Sequence, residues 1–300
     1  MPARRAESTD ATAGLAYGVA AYTMWGLAPL FWRMLSGVPA SELLAHRLSW
    51  AWVFFVAWLA ARRDVGGLRT IAASATARRR LAASAMLLAT NWFVFVYAVL
   101  TERVLDASLG YFINPIVSVA LGRLVLGEQM RPLQSVAVAI AVVGIAIATW
   151  LSGGLPWIAV VLASSFAVYG LIRKTTKVDP LAGSAFETTL LLPLGVGVLV
   201  WIAVRGGGAM GHTSIATHGL LIATGLVTAL PLLAFVYAAV RVRLTTLGFI
   251  QYLAPSLQFA LAALFFDEAL PGARFVAFAC VWLALLVFGF DAWRARPRSP

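Results

Sequence analysis

The segment ASLGYFINPIVSVALGRLVLGE, residues 107 to 128, is a long apolar run with a proline near its centre and a single carboxylate at its end. A second segment of the same design, TTLGFIQYLAPSLQFALAALFFDE, occupies residues 245 to 268. The two halves match at an offset of 140 positions in three features, namely the proline, the terminal acid and an FVYA motif: Pro115 and Pro255, Glu128 and Glu268, 95–98 and 235–238. This repetition predicts a chain built from two related halves.

The amino-acid composition indicates whether the chain folds in water or in a membrane. Hydrophobic residues make up 61% of the 300 residues and charged residues 12%, with a mean hydropathy of +0.88. Soluble domains hold about 45–50% apolar and about 25% charged residues. The sequence therefore predicts an all-α polytopic membrane protein. Its one cysteine, Cys280, excludes an intramolecular disulfide.

The hydropathy pattern divides the chain into membrane-spanning segments. About 20 apolar residues cross a bilayer as a helix, and by this measure the sequence predicts ten spans: 14–32, 40–60, 81–100, 104–126, 132–151, 156–172, 181–204, 218–240, 244–266 and 273–293. Five spans form each repeat, at 14–151 and 156–293, between a hydrophilic tail (1–13) and a basic tail (294–300). We expect the first span to be retained, because no small-residue cleavage site follows the N-terminal segment.

The basic residues predict the orientation. With ten spans, 17 of the Lys and Arg residues in the tails and connections fall on one side of the membrane and 4 on the other. Because cytoplasmic loops are enriched in Lys and Arg, both termini are predicted to be cytoplasmic, in a plasma-membrane protein. Five spans per half is an odd number, so the two repeats are predicted to be inverted. The excess of basic over acidic residues gives a net charge of +11, and the basic residues cluster in short loops. This distribution favours contact with anionic lipid on the cytoplasmic side and argues against nucleic acid as a partner.

The two mid-span prolines predict a substrate cavity. Each removes a backbone hydrogen bond inside a membrane helix, and polar or aromatic side chains lie at the same level. The predicted cavity residues are Tyr22, Trp25, Asn91, Tyr111, Asn114, Pro115, Tyr169, Tyr237, Gln251, Tyr252 and Pro255. The alternative is that each proline marks a packing kink whose free carbonyl is satisfied by neighbouring helices.

Two predicted spans carry charged or titratable side chains that suggest a function. Glu42, His46 and Arg47 belong to the second span and Glu187 to the seventh. Charges at this depth are costly and suggest a functional site, such as a proton relay that drives transport. The alternative for the first three is a self-neutralising cluster that fixes helix packing.

Two further acids end the repeated segments. Glu128 and Glu268 follow their prolines by 13 residues, or roughly 20 Å along a helix. This distance places both near the membrane surface, so we expect gate or interface contacts rather than substrate ligands.

Catalytic and metal sites are disfavoured, and no cofactor is expected. His212 and His218 lie in a glycine-rich loop without a neighbouring Cys or acid, which leaves His46 as the histidine inside a span. An intramembrane metalloprotease would need several such ligands. The sequence contains neither GxSxG nor GxxxxGK[ST], which argues against a serine hydrolase and an ATP-driven pump.

The chain resembles a known family over most of its length. The runs AYTMWGLAPLFWRML, SELLAHRLSW, NWFVFVYAV, ASLGYFINPIVSVALG and TALPLLAFVYAAVRVRLTTLGFIQYLAPSLQF are similar to the RarD family, in the EamA branch of the drug/metabolite transporter superfamily. The resemblance extends from about residue 14 to about residue 290. It implies two inverted five-helix repeats, alternating access to a central cavity, and export across the plasma membrane, but it does not supply a substrate.

The sequence thus predicts a secondary transporter for a small polar or amphipathic metabolite or a drug-like molecule. Two other classes stay open: a non-transporting membrane scaffold or regulator, and an intramembrane enzyme, for which only Glu42 and His46 offer a paired acid and histidine. Small residues are too common in these spans to predict an oligomeric state.

Overall fold

The computed structural model describes residues 2–63, 65–151, 153–265 and 272–294, and this part of the chain contains helices and no strand. The helices are α1 (Pro2–Arg33), α2 (Ala40–Arg62), α3 (Gly66–Ala73), α4 (Ala75–Leu100), α5 (Val104–Leu124), α6 (Pro132–Leu151), α7 (Trp157–Thr175), α8 (Pro180–Val204), α9 (Ile215–Arg241), α10 (Leu244–Gln251), α11 (Leu253–Phe265) and α12 (Gly272–Arg294).

Seven helices of the described part, α2 and α4 to α9, are long and apolar enough to cross a bilayer. Their outward faces carry large apolar side chains such as Leu124, Val200 and Val204, all of which are exposed. On helices long enough to span a bilayer, extensive exposed apolar surface of this kind indicates contact with lipid. The predicted all-helical membrane protein is therefore confirmed.

Three helical features differ from the predicted segments. The first helix begins at Pro2 and runs through the predicted tail. A short helix, α3, lies between the second and third predicted spans. The ninth predicted segment is two helices, α10 and α11, interrupted at Tyr252. Pro255 falls in the first turn of α11, where a missing N–H costs little because that turn has no partner for it.

The helices pack in a defined set of pairs. Neighbouring pairs are α2 with α8, α5 with α10, and α6 with α12. In addition, α1 packs on α9, α10 and α11, while α7 packs on α4 and α5.

Glycines permit the closest helix approaches. A Cβ on Gly110 of α5 would lie 3.1 Å from the Ala159 Cα of α7, and one on Gly248 of α10 would lie 2.8 Å from the Pro115 carbonyl oxygen of α5. Small residues allow such contacts in membrane bundles, where dispersion and hydrogen bonds replace the hydrophobic effect between helices.

Candidate functional site

Arg47 lies in the interior among side chains from four other helices. Its Nε donates to Thr228 Oγ1 of α9 at 3.1 Å. Its guanidinium carbon is 4.9 Å from the ring centroid of Trp32 in α1 and 5.4 Å from that of Trp92 in α4. The Tyr111 hydroxyl of α5 is close enough to interact with it electrostatically. We call these five residues the arginine site.

The arginine site has unused binding capacity. A guanidinium carries five N–H donors, and the side-chain bond to Thr228 uses one of them in the described part of the chain. Arg47, Trp32, Trp92 and Tyr111 are each only partly buried. Two tryptophan faces stabilise the cation and offer flat apolar walls. The arrangement suits an anionic or carbonyl group attached to an apolar or aromatic body.

A cluster of aromatic rings lies deeper in the bundle. Trp25 lies seven residues before Trp32 in α1, or about 10 Å along the helix. Its ring centroid is 5.6 Å from that of Phe166 and 5.9 Å from that of Phe235. Tyr22 and Tyr169 complete this aromatic cluster. The structure thus brings together three predicted cavity residues, Tyr22, Trp25 and Tyr169, that come from α1 and α7.

The aromatic cluster is closed rather than open. Tyr22 and Tyr169 are buried, and neither hydroxyl makes a hydrogen bond of normal geometry in the described structure. The Tyr169 hydroxyl still interacts electrostatically with Glu187. Tyr237, another predicted cavity residue, lies apart from this cluster at the end of α9, where its ring stacks on Tyr17 at 5.1 Å.

The level of the two prolines is a packed helix crossing in this conformation. Pro115 contacts a void of only about 10 Å³, which Phe249 and Tyr252 also line. Asn114, Gln251 and Pro255 are buried. Tyr111, by contrast, is only partly buried and belongs to the arginine site.

Hydrogen bonds at this level hold helices together. The Tyr252 hydroxyl donates to the Phe112 carbonyl oxygen at 3.3 Å, and so connects the α10–α11 break to the turn that precedes Pro115. Asn91 Nδ2 donates to the Leu162 carbonyl oxygen at 2.9 Å and to Ser165 Oγ at 3.0 Å. Asn91 therefore fastens α4 to α7, rather than facing an open cavity.

Glu187 belongs to a buried ion pair that the sequence pattern missed. Its Oε1 lies 3.3 Å from Arg173 Nη1 and accepts a hydrogen bond from Ser84 Oγ. Arg173 Nη2 also donates to the Pro180 carbonyl oxygen at 3.0 Å. Both charged side chains are almost completely inaccessible. Three helices, α4, α7 and α8, meet at this pair.

Glu42 and His46 form a second cluster at the opposite end of the bundle. Glu42 Oε1 accepts from the Ala209 N–H at 2.6 Å and lies 3.7 Å from His46 Nε2. Although Arg47 follows His46 in sequence, it points to a different set of side chains. Glu42, His46 and Arg47, which neighbour one another in sequence, are therefore divided between two sites.

The end of the bundle at the start of α1 is sealed by polar contacts. Glu128 accepts hydrogen bonds from the Leu244 N–H at 2.8 Å and the Thr245 N–H at 2.9 Å. Lys174 Nζ donates to the Ala239 carbonyl oxygen at 3.2 Å. Asp10 and Arg241 form an ion pair at 2.8 Å. Glu268, the predicted counterpart of Glu128, lies outside the described residues.

Replacing Glu128 is expected to loosen this sealed end. Glu128→Ala removes the acceptor of two N–H groups in the first turn of α10, so we expect the free energy of unfolding to fall by about 1–2 kcal/mol, the range of helix N-cap losses. Unfolding in mixed detergent micelles measures it. Glu128→Gln, which keeps one oxygen, should lose less, and equal losses for the two variants would contradict the capping role.

The described residues hold no group of three or more His, Cys, Asp or Glu side chains that could bind a metal ion. The loop histidines make local contacts instead. His218 Nε2 accepts from the Gly211 N–H at 3.0 Å, and His212 Nδ1 lies 3.0 Å from the Gly208 carbonyl oxygen. Both contacts brace the loop between α8 and α9.

An apolar helical bundle with an arginine among aromatic rings and one sealed end is typical of multi-pass membrane transport proteins. Comparison with known proteins agrees. Residues 12–150 match the EamA-like transporter family. The chain is 44% identical to Protein RarD of Streptomyces exfoliatus, over 98% of this chain and 93% of that protein, and 44% identical to Protein RarD of Escherichia coli (strain K12), over 95% and 97%.

The chain belongs to the RarD family of EamA-like transporters, in the drug/metabolite transporter superfamily. It is also 30% identical to the Chloramphenicol-sensitive protein RarD of Pseudomonas aeruginosa, over 94% of this chain and 95% of that protein. A protein of known crystal structure shares the fold, with a TM-score of 0.71 and 20% identity over 92% of this chain and 96% of its own. The family is one of transporters.

Proposed function

We propose that the protein is a secondary transporter with ten spans in two inverted repeats, working by alternating access. The packing pairs support this. In the proposed correspondence, the first repeat consists of α1, α2, α4, α5 and α6, and the second consists, in the same order, of α7, α8, α9, α10–α11 and α12. Exchanging the two repeats then converts the contact of α1 with α9 into the contact of α7 with α4. It likewise turns the contact of α1 with α11 into that of α7 with α5. The pairs α2–α8, α5–α10 and α6–α12 map onto themselves.

The observation that carries the proposal is an asymmetry between the two ends of the bundle in the described part of the chain. The end at Glu128 is held by capping hydrogen bonds, whereas the arginine site is half-buried toward the other end. A transporter caught with one gate closed has this asymmetry. The Lys and Arg distribution supports a cytoplasmic location for the sealed end and both termini, and hence a plasma-membrane exporter whose substrate is released on the opposite side.

The arginine site narrows the proposed substrate class. Arg47 supplies charge and N–H donors, and Trp32 and Trp92 supply flat apolar surface. A small metabolite or drug-like molecule with an anionic or carbonyl group beside an apolar part fits these groups. Proton coupling through Glu42 and His46 is a further hypothesis, because Glu187 is already engaged by Arg173.

Transport in proteoliposomes tests the proposal. The purified chain is reconstituted and given a panel of amino acids and drug-like molecules under a proton gradient, a membrane potential, or neither. Movement of at least one member, with dependence on one of the gradients, is expected. If nothing in a broad panel moves under either gradient, a non-transporting scaffold becomes the better account of the bundle.

Arg47→Gln should reduce transport of an anionic substrate by about 10- to 100-fold, since hydrogen bonds to charged groups contribute about 1.5–3 kcal/mol. Arg47→Lys should retain part of the activity, because charge remains but the planar fork is lost. Arg123→Gln, at an exposed arginine, is the control and should transport normally. Initial rates against substrate concentration measure the effect, and unchanged rates in Arg47→Gln would remove Arg47 from the binding site.

A further inference from the structure

A cavity of about 440 Å³ lies between α2 and α8, beneath the loop that joins α8 to α9. Its walls are mostly apolar and include Trp50 and Val53 of α2 and Val196, Leu199 and Val200 of α8. None of the arginine-site residues lines it. Ligand pockets of about 300–1,000 Å³ hold small molecules, so this lateral cavity is large enough to be a separate site.

The mouth of the lateral cavity faces the bilayer. Val53, Val196 and Val200 are exposed, the last by 55%, and they belong to the apolar outward surface of their helices. A molecule that enters here would come from the hydrocarbon layer rather than from water. Its apolar part could remain along the valines without crossing a polar barrier.

The inner end of the lateral cavity is polar and incompletely paired. Glu42 and His46, each 3% exposed, both line it. Neither ring nitrogen of His46 makes a hydrogen bond of normal geometry in the described structure, and the Glu42 Oε1 atom lies 3.7 Å from Nε2. A buried polar group without a partner is costly. A ligand that donates hydrogen bonds and carries positive charge would satisfy both the imidazole and the carboxylate.

The loop above the cavity holds the acid in place. Gly208 has a φ of +103°, and a Cβ there would lie 3.4 Å from Glu42 Oε1 and 2.9 Å from Ile202 Cγ2. This conformation directs the Ala209 N–H to Glu42 Oε1. The glycine therefore allows the loop to close over the acid, while the side of the acid toward the cavity stays available to a ligand.

We propose that the lateral cavity binds an amphiphile with a primary ammonium head group. The ammonium lies between Glu42 and His46, donating to the carboxylate and to an unprotonated imidazole nitrogen, and the alkyl chain follows the valines out to the bilayer. Such a head group occurs in free long-chain amines and in phosphatidylethanolamine. The inference rests on the cavity and not on the proposed transport.

Binding of radiolabelled dodecylamine to the purified full chain tests the proposal, with scintillation proximity as the readout. Saturable binding is expected, with at least tenfold weaker competition by dodecanol, which lacks the charge, and by dodecyltrimethylammonium, which lacks N–H donors. Glu42→Gln should weaken dodecylamine binding at least tenfold while keeping an acceptor for Ala209. Equal competition by dodecanol, together with unchanged binding in Glu42→Gln, would overturn the proposal.

A second pair of variants separates binding from folding. Val200→Trp fills the mouth of the cavity without touching Glu42 and should also weaken binding at least tenfold. Leu194→Trp places the same side chain on the same helix, at a residue 54% exposed and outside the cavity, and should bind normally. Both variants are checked for wild-type elution and thermal unfolding. Equal binding by both would contradict the site.

An experiment in nanodiscs distinguishes a membrane lipid from a free long-chain amine as the source of the ammonium group. The protein is reconstituted with phosphatidylethanolamine or phosphatidylcholine, and native mass spectrometry counts the lipid that remains bound. Retention of phosphatidylethanolamine that is lost in Val200→Trp identifies the lipid as the ligand. Dodecylamine binding without such retention identifies a free amine. Because these readouts do not involve transport, their failure is distinct from failure of the proposed function.

Discussion

Arg173→Met and Glu187→Leu are each expected to lower the free energy of unfolding by about 3–5 kcal/mol, because each leaves an uncompensated charge in the interior. The ion pair at 3.3 Å is enclosed by three helices, so water cannot replace the missing partner. Arg173→Met also removes the donor to the Pro180 carbonyl oxygen. Unfolding in mixed detergent micelles, followed by circular dichroism, measures the loss.

The double variant distinguishes a charge effect from a packing effect. If the penalty comes from the unpaired charge, then Arg173→Met combined with Glu187→Leu should be more stable than either single variant. Losses that simply add would show that both side chains contribute mainly by filling space. Lys177→Met is the matched control, because this nearby basic residue is exposed and its loss should be small.

Gly225→Ala is expected to destabilise the bundle by about 3 kcal/mol, the upper end of the usual range for overpacking. A Cβ on Gly225 of α9 would lie 2.4 Å from the Trp50 carbonyl carbon of α2. Because the obstacle is backbone, no rotamer change relieves the clash and the two helices must separate. The free energy of unfolding is again the measurement.

Gly219→Ala is the control for this variant. Gly219 lies in the same helix, and a Cβ there would meet nothing within 4 Å. Alanine is the better helix former, so this change should be neutral or stabilising by about 0.5–1 kcal/mol. If both alanine variants behave alike, close packing of α2 on α9 is not what requires glycine at position 225.

Much of the fold could be predicted because lipid imposes a simple rule. A segment of about 20 apolar residues is helical in a bilayer, where every backbone polar group needs a partner within the segment. The grouping of Tyr22 and Trp25 with Tyr169 was also predictable, since the predicted repeat assigns these residues to the first spans of its two halves.

Other parts of the site depend on packing that no local pattern records. Arg173 lies in a basic cluster with Lys174 and Lys177, and the hydropathy pattern places this cluster in a loop between two predicted spans. Its side chain nevertheless points into the bundle and pairs with Glu187. The signal that could have found it is the acid itself, because Glu187 inside a span needs a partner. No sequence pattern distinguished Thr228 and Trp32 of the arginine site, since threonine and tryptophan are common in membrane helices.

The prolines show that a sequence signal can locate a helix break without indicating the width of the space beside it. Pro255 does coincide with a helix interruption, at Tyr252. The interruption is closed by Tyr252 and Phe112 across a tight crossing, so in this conformation it does not border a wide cavity. Periodicity and composition indicate where a helix breaks, but the width of the adjacent space depends on glycine contacts such as that of Gly248 with Pro115.

The Glu128 cap has a mechanical consequence. It ties the segment after α5 to the first turn of α10, while Tyr252 ties the last turn of α10 to α5. Short helix α10 is thus anchored at both ends to the same neighbour, and α11 continues beyond the break at Tyr252. We therefore expect motion at the sealed end to move α5 and α10 together, with the interruption at Tyr252 as the hinge between them and α11.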